Sequence, residues 1–358
     1  MFRIEMLPAK NGDALLVHYG DSTQPSRILI DAGTPGAYED VRDRLLELKQ
    51  PNKPLHLELL VITHVDDDHI GGVLALLEKE EVDLTFGDIW FNGFGHLGDD
   101  DIQDFGPVQG ERLTTLLTDG TRPWNKATLS HSFRVRDGQD LPEFTLPGGM
   151  KLTLLSPDAG KLSIMRDKWE EIIEAEGLVP NGETDSGFDA EDDPDIEPFG
   201  AIDLDALAEE SFHEDKAPAN GSSIAFIAEF GGKRVLFGAD AHPGLLLNSI
   251  DAFAGPGQPL TLDLCKLSHH GSDHNTSPML IDRLDCTRFL VSSSGARFKH
   301  PHRAAMARVI KRGSPGKELS FNYRSDFTEI WDDDDLRAEG NYTTVFPPDG
   351  KEGVVVDV

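Results

Sequence analysis

Cysteine is nearly absent. The chain has 358 residues and only Cys265 and Cys286, too few for a disulfide scaffold and without metal-type spacing, so both read as small buried residues on strands. No apolar run approaches the roughly 20 residues that cross a membrane. The N-terminal stretch 1–7 alternates like a strand and lacks the basic and apolar regions of a signal peptide, so a cytoplasmic location and no membrane partner are expected. Bases are scarce: 33 Lys and Arg against 64 Asp and Glu give a net charge of −31. Tight non-specific binding to long duplex nucleic acid relies on phosphate neutralisation and is therefore not expected. No Gly-x-Ser-x-Gly elbow occurs, which removes the obvious serine-hydrolase reading. The 38% hydrophobic content is ample for a large core and for one domain of α/β layers.

The residues that are present concentrate their chemistry at 63–72. There an apolar run at 59–62, read as a buried strand, ends in Thr63, His64, Val65, Asp66, Asp67, Asp68, His69, Ile70, Gly71 and Gly72. His64, Asp66, Asp68 and His69 are ligand types, and so acidic a turn repels itself unless a cation sits in it. A solvated acidic turn is the bland alternative. Imidazole with carboxylate suits zinc, or manganese where oxygen dominates. Further ligands should lie far away in sequence. The run 235–239 delivers Asp240 at its tip, and the run 264–267 ends in His269 and His270 before Gly271. Ligand types at strand ends in both halves are where α/β proteins build sites.

A coarse reading gives strands near 2–7, 14–19 and 27–31, a helix near 37–49, the strand 57–63, and a helix from 70 to 79 started by Gly71 and Gly72. A strand near 88–92, a helical patch at 110–117, a strand at 152–155 and a charged helix at 158–178 follow. Residues 180–217 are acidic and punctuated by Gly and Pro, read as a flexible insert or lid without the glycine of a calcium-binding loop. Strands resume at 223–230, 234–239, 262–267 and 288–293. Two comparable strand-rich halves fit two facing mixed β-sheets with helices outside, an αββα sandwich. The domain is expected to span 1–312, with a tail at 313–358 packed on it. In that tail 320–325, 329–331 and 341–346 alternate like edge strands of a hairpin, and 332–335 reads as a solvated turn.

From 297 to 312 six bases occur without an acid: Arg297, Lys299, Arg303, Arg308, Lys311 and Arg312, with His300 and His302 added. In so acidic a chain this invites an anionic substrate. The run 303–312 reads as an amphipathic helix, and a helix N-terminus adds attraction for anions. Lys299, His300, His302 and Arg303 are assigned to substrate on this ground.

These motifs resemble the metallo-β-lactamase superfamily, whose His-x-His-x-Asp-His signature reads here His64, Val65, Asp66, Asp67, Asp68, His69, with Asp66 in place of the second histidine. That variant, with His269-His270-Gly271-Ser272, is most similar to the hydrolase domain of ComEC-type DNA-uptake proteins and their free-standing relatives. The stretches 11–17, 29–33 and 238–241 fit the same pattern. The resemblance implies two divalent ions, Zn²⁺ or Mn²⁺. His64 and Asp66 belong to the first, Asp68 and His69 to the second, and Asp240 bridges both. His270, with His269 as the alternative, completes the second, and Asp31 holds a ligand or loop. Asn220 stands where most members carry a third histidine, which leaves the first position a harder ligand set. The implied chemistry is metal-assisted hydrolysis, with Asp68 and Asp240 orienting water and His300 or His302 protonating a leaving group. A phosphodiester or other phosphorylated compound, such as a nucleotide or single-stranded DNA, is the expected substrate. Lactone, thioester or β-lactam hydrolysis is the first alternative. A non-catalytic protein that docks a basic partner on its acidic insert is the second.

Overall fold

The computed structural model describes residues 1–97, 108–118, 120–128, 132–176 and 202–358; the acidic stretch 180–201 lies outside the described residues. Strands β1 (Phe2–Met6), β2 (Leu15–Tyr19) and β3 (Ser26–Ile30) form an antiparallel meander in which Val17 faces Ile4 on one side and Ile28 on the other. Helix α1 (Tyr38–Leu48) then leads to β4 (Leu55–Val61), and α2 (Asp67–Lys79) to β5 (Leu84–Trp90). Both of these strands run parallel to their predecessors.

The second half repeats this plan. After α3 (Val108–Thr118), the strands β6 (Glu143–Thr145) and β7 (Lys151–Ser156) form a hairpin. Three helices follow: α4 (Ala159–Glu176), α5 (Leu204–Ala208) and α6 (Pro218–Gly221). Strands β8 (Ala225–Phe230) and β9 (Lys233–Phe237) continue the antiparallel part. Next come α7 (Pro243–Ala254), β10 (Leu260–Thr261), β11 (Leu264–Lys266), α8 (Pro278–Asp282), β12 (Leu284–Asp285) and β13 (Arg288–Val291). The chain ends with α9 (Arg303–Lys311), β14 (Lys317–Phe321), α10 (Asp334–Gly340), β15 (Tyr342–Val345) and β16 (Val354–Asp357).

Among the described residues, one large sheet has the order β16-β1-β2-β3-β4-β5 and the other β15-β14-β13-β11-β9-β8-β7-β6, while β10 and β12 pair apart from both. Strand alternation sorts their side chains into three buried layers. Between the sheets lie Ile4, Val17, Ile28 and Val61 of the first with Leu154, Phe226, Val235 and Leu264 of the second. The opposite face of the first sheet (Leu16, Leu29, Leu60) packs on Val41, Leu45, Val73 and Leu77 of α1 and α2. That of the second (Ile227, Leu236, Phe289) packs on Leu246, Ile250, Met306 and Val309 of α7 and α9. The architecture is a mixed α/β fold of two mixed sheets with helices outside. Sheets covered on both faces explain why the central strands read as unbroken apolar runs.

Several local expectations change. Helix α2 starts at Asp67, not Ile70, so Asp68 and His69 stand in its first turn. Gly72 does not start it: a Cβ there would lie 2.0 Å from the Ala32 carbonyl oxygen, so this glycine allows the helix to approach the loop after β3. In the tail, β14 pairs parallel with both β13 and β15, so no hairpin forms. Residues 329–331 belong to a 3₁₀ turn that buries Trp331, and Asp333 caps α10 by accepting from the Asp335 and Leu336 amides at 3.0 Å. Strand β16 pairs antiparallel with β1, so residues beyond 312 extend both sheets. Cys265 and Cys286 are free and buried. No helix among the described residues is long and apolar enough to cross a membrane.

One buried charge cluster outside the strand ends has a measurable consequence. Glu5 of β1 accepts from Arg44 Nε and Nη2 at 2.7 and 2.8 Å, and His18 Nε2 lies 2.9 Å from it. Burial pushes its carboxyl up, but Arg44 and His18 outweigh that and hold it at about 2. A depressed carboxyl stabilises the fold above its unfolded value and loses that contribution as pH falls through the folded one. Glu5→Gln should therefore lower stability at pH 7 by up to about 3 kcal/mol, a deficit that shrinks between pH 4.5 and 2. Urea midpoints of both proteins across that window test this; a constant difference would remove the assignment.

Candidate metal centre

Most ligand-type residues singled out above sit where a strand meets its loop, while Asp68 and His69 stand in the first turn of α2. Asp31 follows β3, His64 and Asp66 follow β4, Asp240 follows β9, and His269 and His270 follow β11. Asp66 is the N-cap of α2, yet its side chain makes no capping bond. That carboxylate is turned to another use.

The side chains converge on Asp240. Its Oδ2 lies 3.3 Å from His69 Nε2, 3.7 Å from His270 Nε2, and 3.8 Å from both His64 Nε2 and His269 Nε2. His64 Nε2 is also 3.4 Å from Asp66 Oδ2, and His270 Nε2 is 3.5 Å from Asp68 Oδ2. Two triplets have ligand atoms all within 4.8 Å of one another: His64, His69 and Asp240, and Asp68, His69 and His270. His69 is common to both, a sharing that the sequence pattern did not suggest.

The far side of each imidazole is fixed. Asp31 Oδ1 accepts from the Thr63 amide at 2.8 Å, while its Oδ2 accepts from the Thr63 hydroxyl at 2.7 Å and lies 2.8 Å from His69 Nδ1. Thr63 Oγ1 is 2.9 Å from His64 Nδ1, and His270 Nδ1 is 2.9 Å from the Ser292 carbonyl. With protons on these Nδ1 atoms, the Nε2 lone pairs face the centre.

Three residues near His269 escaped the sequence reading. Asn275 Oδ1 is 2.8 Å from His269 Nδ1, and Asn275 Nδ2 donates to the Asp240 carbonyl at 3.1 Å. The half-buried Asp215 accepts from Asn220 at 2.7 Å and from Asn275 at 3.1 Å, and lies 3.6 Å from His269 Nδ1. His242 donates from Nε2 to the Ala217 carbonyl at 3.1 Å and receives Lys161 Nζ at 2.6 Å on Nδ1. Asn220 thus meets His269, at 3.4 Å, through the group that also holds Asp215.

The centre attracts positive charge. Burial opposes ionisation of Asp240, but His69, His269 and His270 hold its carboxyl well below the usual range. Burial likewise opposes a charged His69, and Asp240, Asp31 and Asp68 still hold it well above its ordinary value. Asp68 is held at about 2 and His269 is pushed up to about 10 by the same mutual field. His64 Nε2, Asp66 Oδ1 and Asp240 Oδ1 are buried without a hydrogen-bond partner. Such atoms cost about 1–3 kcal/mol each, more when charged, unless something coordinates them. Two imidazole-and-carboxylate triplets with orphaned inward atoms fit divalent cations.

The basic run disperses. Arg308 is buried and donates to the carbonyls of Asp273, Thr276 and Glu210 at 2.9–3.2 Å. Lys311 pairs with Asp205 at 2.6 Å, and Arg312 with Asp282 at 2.7 Å. Backbone carbonyls and acids from other elements thus engage half of these six bases. His302 pairs with Asp273 at 2.7 Å. Only His300 of this group packs on the ligand imidazoles: its ring centroid is 5.1 Å from His269 and 6.0 Å from His270. Burial, reinforced by His302, His269 and His270, holds it neutral, and its Nδ1 has no partner. Lys299, half-buried at a left-handed φ of 59°, precedes it, and Arg303 opens α9.

Residues 12–125 match the family model of the Metallo-beta-lactamase superfamily. The match spans Asp31, His64, Asp66, Asp68 and His69, and stops short of Asp240, His269 and His270. The two mixed sheets with outer helices are consistent with that superfamily's fold. No curated protein matches the chain. Among solved structures, the metallo-beta-lactamase fold protein YhfI from Bacillus subtilis is similar at 14% identity and a TM-score of 0.40, covering 99% of each chain. A CmlA beta-hydroxylase mutant is similar at 12% identity and a TM-score of 0.38, over 99% of this chain and 54% of that one. The Flv1 flavodiiron core from Synechocystis sp. is similar at 10% identity and a TM-score of 0.27, over 93% and 84%.

Proposed function

We propose that this chain is a metal-dependent hydrolase of the ComEC-like kind that cleaves a phosphodiester or another anionic ester. The observation that carries this reading is Asp240 Oδ2 within 3.3–3.8 Å of four imidazole nitrogens. His64, Asp66 and Asp240 would hold one divalent ion, and Asp68, His69 and His270 the other, with Zn²⁺ favoured and Mn²⁺ the alternative where oxygen dominates. Cations bound there supply Lewis acidity and lower the pKa of coordinated water towards neutrality. Asp68, ionised at about 2 and half-buried at the rim, accepts a hydrogen bond from the attacking water and so orients it. His300, kept neutral by burial, would donate a hydrogen bond from its unpartnered Nδ1 to the leaving oxygen, whose proton would come from the attacking water. Lys299 and Arg303, on either side of the 300–302 turn, are assigned to the substrate's negative charge.

Reversing both charges (Lys299→Glu with Arg303→Glu) should raise KM for bis-p-nitrophenyl phosphate roughly tenfold or more while metal content stays unchanged. Unchanged kinetics would remove the anion assignment. A second reading, an uncharged lactone or thioester, is favoured by the engagement of Arg308, Lys311 and Arg312 with other elements. A metal-supplemented screen of phosphodiesters, single-stranded DNA, lactones and thioesters separates the two.

A further inference from the structure

We propose that Asp13, paired with the buried Lys266, is a positioning residue for the His270 ligand. This rests on the metal reading above. Asp13 and Lys266 are each 1% exposed. Lys266 Nζ donates to Asp13 Oδ2 at 2.7 Å and to the Leu267 carbonyl at 3.0 Å. Asp13 Oδ1 is thereby aimed at His270 Nδ1, 3.3 Å away, and has no hydrogen-bond partner of its own.

A buried lysine–aspartate pair is a poor way to stabilise a core, because desolvation offsets the attraction and an apolar pair would pack as well. Its placement suggests another role. Lys266 ends β11 four residues before His270, and Asp13 lies on the loop between β1 and β2. The pair therefore ties a loop of the first sheet to a ligand of the second. That loop is itself fixed, since Gly33 N donates to the Asp13 carbonyl at 2.8 Å and Ser292 Oγ to the Gly12 carbonyl at 2.8 Å. The Ser292 carbonyl accepts the proton on Nδ1 at 2.9 Å and the Asp13 carboxylate lies beside it at 3.3 Å, which leaves Nε2 as the donor atom towards Asp68 and Asp240. A carboxylate behind an imidazole also makes that atom a stronger ligand. By donating to Oδ2, Lys266 fixes the orientation of the carboxylate with Oδ1 towards His270.

The test compares Asp13→Asn, Lys266→Met and the double variant in the full chain. Zn²⁺ affinity is read by competition with a chromophoric chelator, and metal-free stability by thermal unfolding. Asp13→Asn should lower both, since it strands a buried ammonium. The double variant buries no unpaired charge, so its metal-free stability should return close to the parent's. Its Zn²⁺ affinity should stay about 10- to 100-fold weaker. Parental Zn²⁺ affinity in a folded double variant would make the pair merely structural and overturn the proposal. If Asp13→Asn does not fold, the double variant decides alone. A parent chain that binds no Zn²⁺ would instead overturn the metal reading, and this inference with it.

Discussion

Asp240→Ala is expected to lose metal and hydrolysis together. The parent should carry two divalent ions per chain and the variant fewer than one, as read by elemental analysis after dialysis against a weak chelator. The reason lies in one oxygen atom. Oδ2 is the common neighbour of His64, His69, His269 and His270, which arrive on segments that follow strands of both sheets. Removing it leaves four buried imidazoles with no shared anion, and cations placed among them would lose the charge that balances them. Turnover should fall at least about 10³-fold, because several kcal/mol of charge stabilisation disappear. Asp240→Asn keeps the shape and removes the charge, so it should lose nearly as much. The Asn275 bond to the residue 240 carbonyl involves backbone and survives either change, so far-ultraviolet circular dichroism should stay unaltered. Full metal content with retained activity in Asp240→Ala would refute its central place.

The part of this centre that was legible in sequence is the part built from runs. His64, Asp66, Asp68 and His69 share one turn, and Asp240 and the 269–270 pair each end an apolar strand. Of the groups behind them, Asp31 was named through the resemblance, whereas Asp215 and Asn275 were not legible, because polar residues outside any apolar run carry no pattern that says which side chain they will meet. Asp215 reads as one more acid at the edge of an acidic stretch, and only the fold brings it 3.6 Å from His269. Lys266 did carry a signal, a charge inside an otherwise apolar strand. The basic run misled because a count of charges along a helix does not tell which carbonyls and acids other elements present to it, as Arg308 demonstrates. The tail misled differently. Alternation marked β14 and β15 as strands, but direction is set by the connection, and the 3₁₀ turn with α10 returns the chain parallel.

The backbone of the Asp13 loop is as constrained as its side chain, and Gly12→Ala should reveal it. A Cβ on Gly12 would lie 1.6 Å from the Asp68 carbonyl oxygen and 2.5 Å from its carbon, so one of the two segments must move. The loop is poorly able to retreat. Gly12 N donates to the Ala9 carbonyl at 3.2 Å, Lys10 N to the Tyr323 hydroxyl at 2.8 Å, and Ser294 N to the Lys10 carbonyl at 2.8 Å. Displacing it breaks several such bonds, at about 1 kcal/mol each. The alternative is a shift of the first turn of α2, which carries Asp68 and His69. Stability should therefore fall by about 3 kcal/mol or more, a Tm drop of roughly 5–10 °C, and metal affinity should fall with it. Gly36→Ala is the control, since its Cβ would meet nothing closer than the Thr34 hydroxyl at 3.6 Å. An alanine at position 12 that left both Tm and metal content at the control's values would show that loop and ligand turn are not in contact, and the packing that joins the two halves of the centre would have to be redrawn.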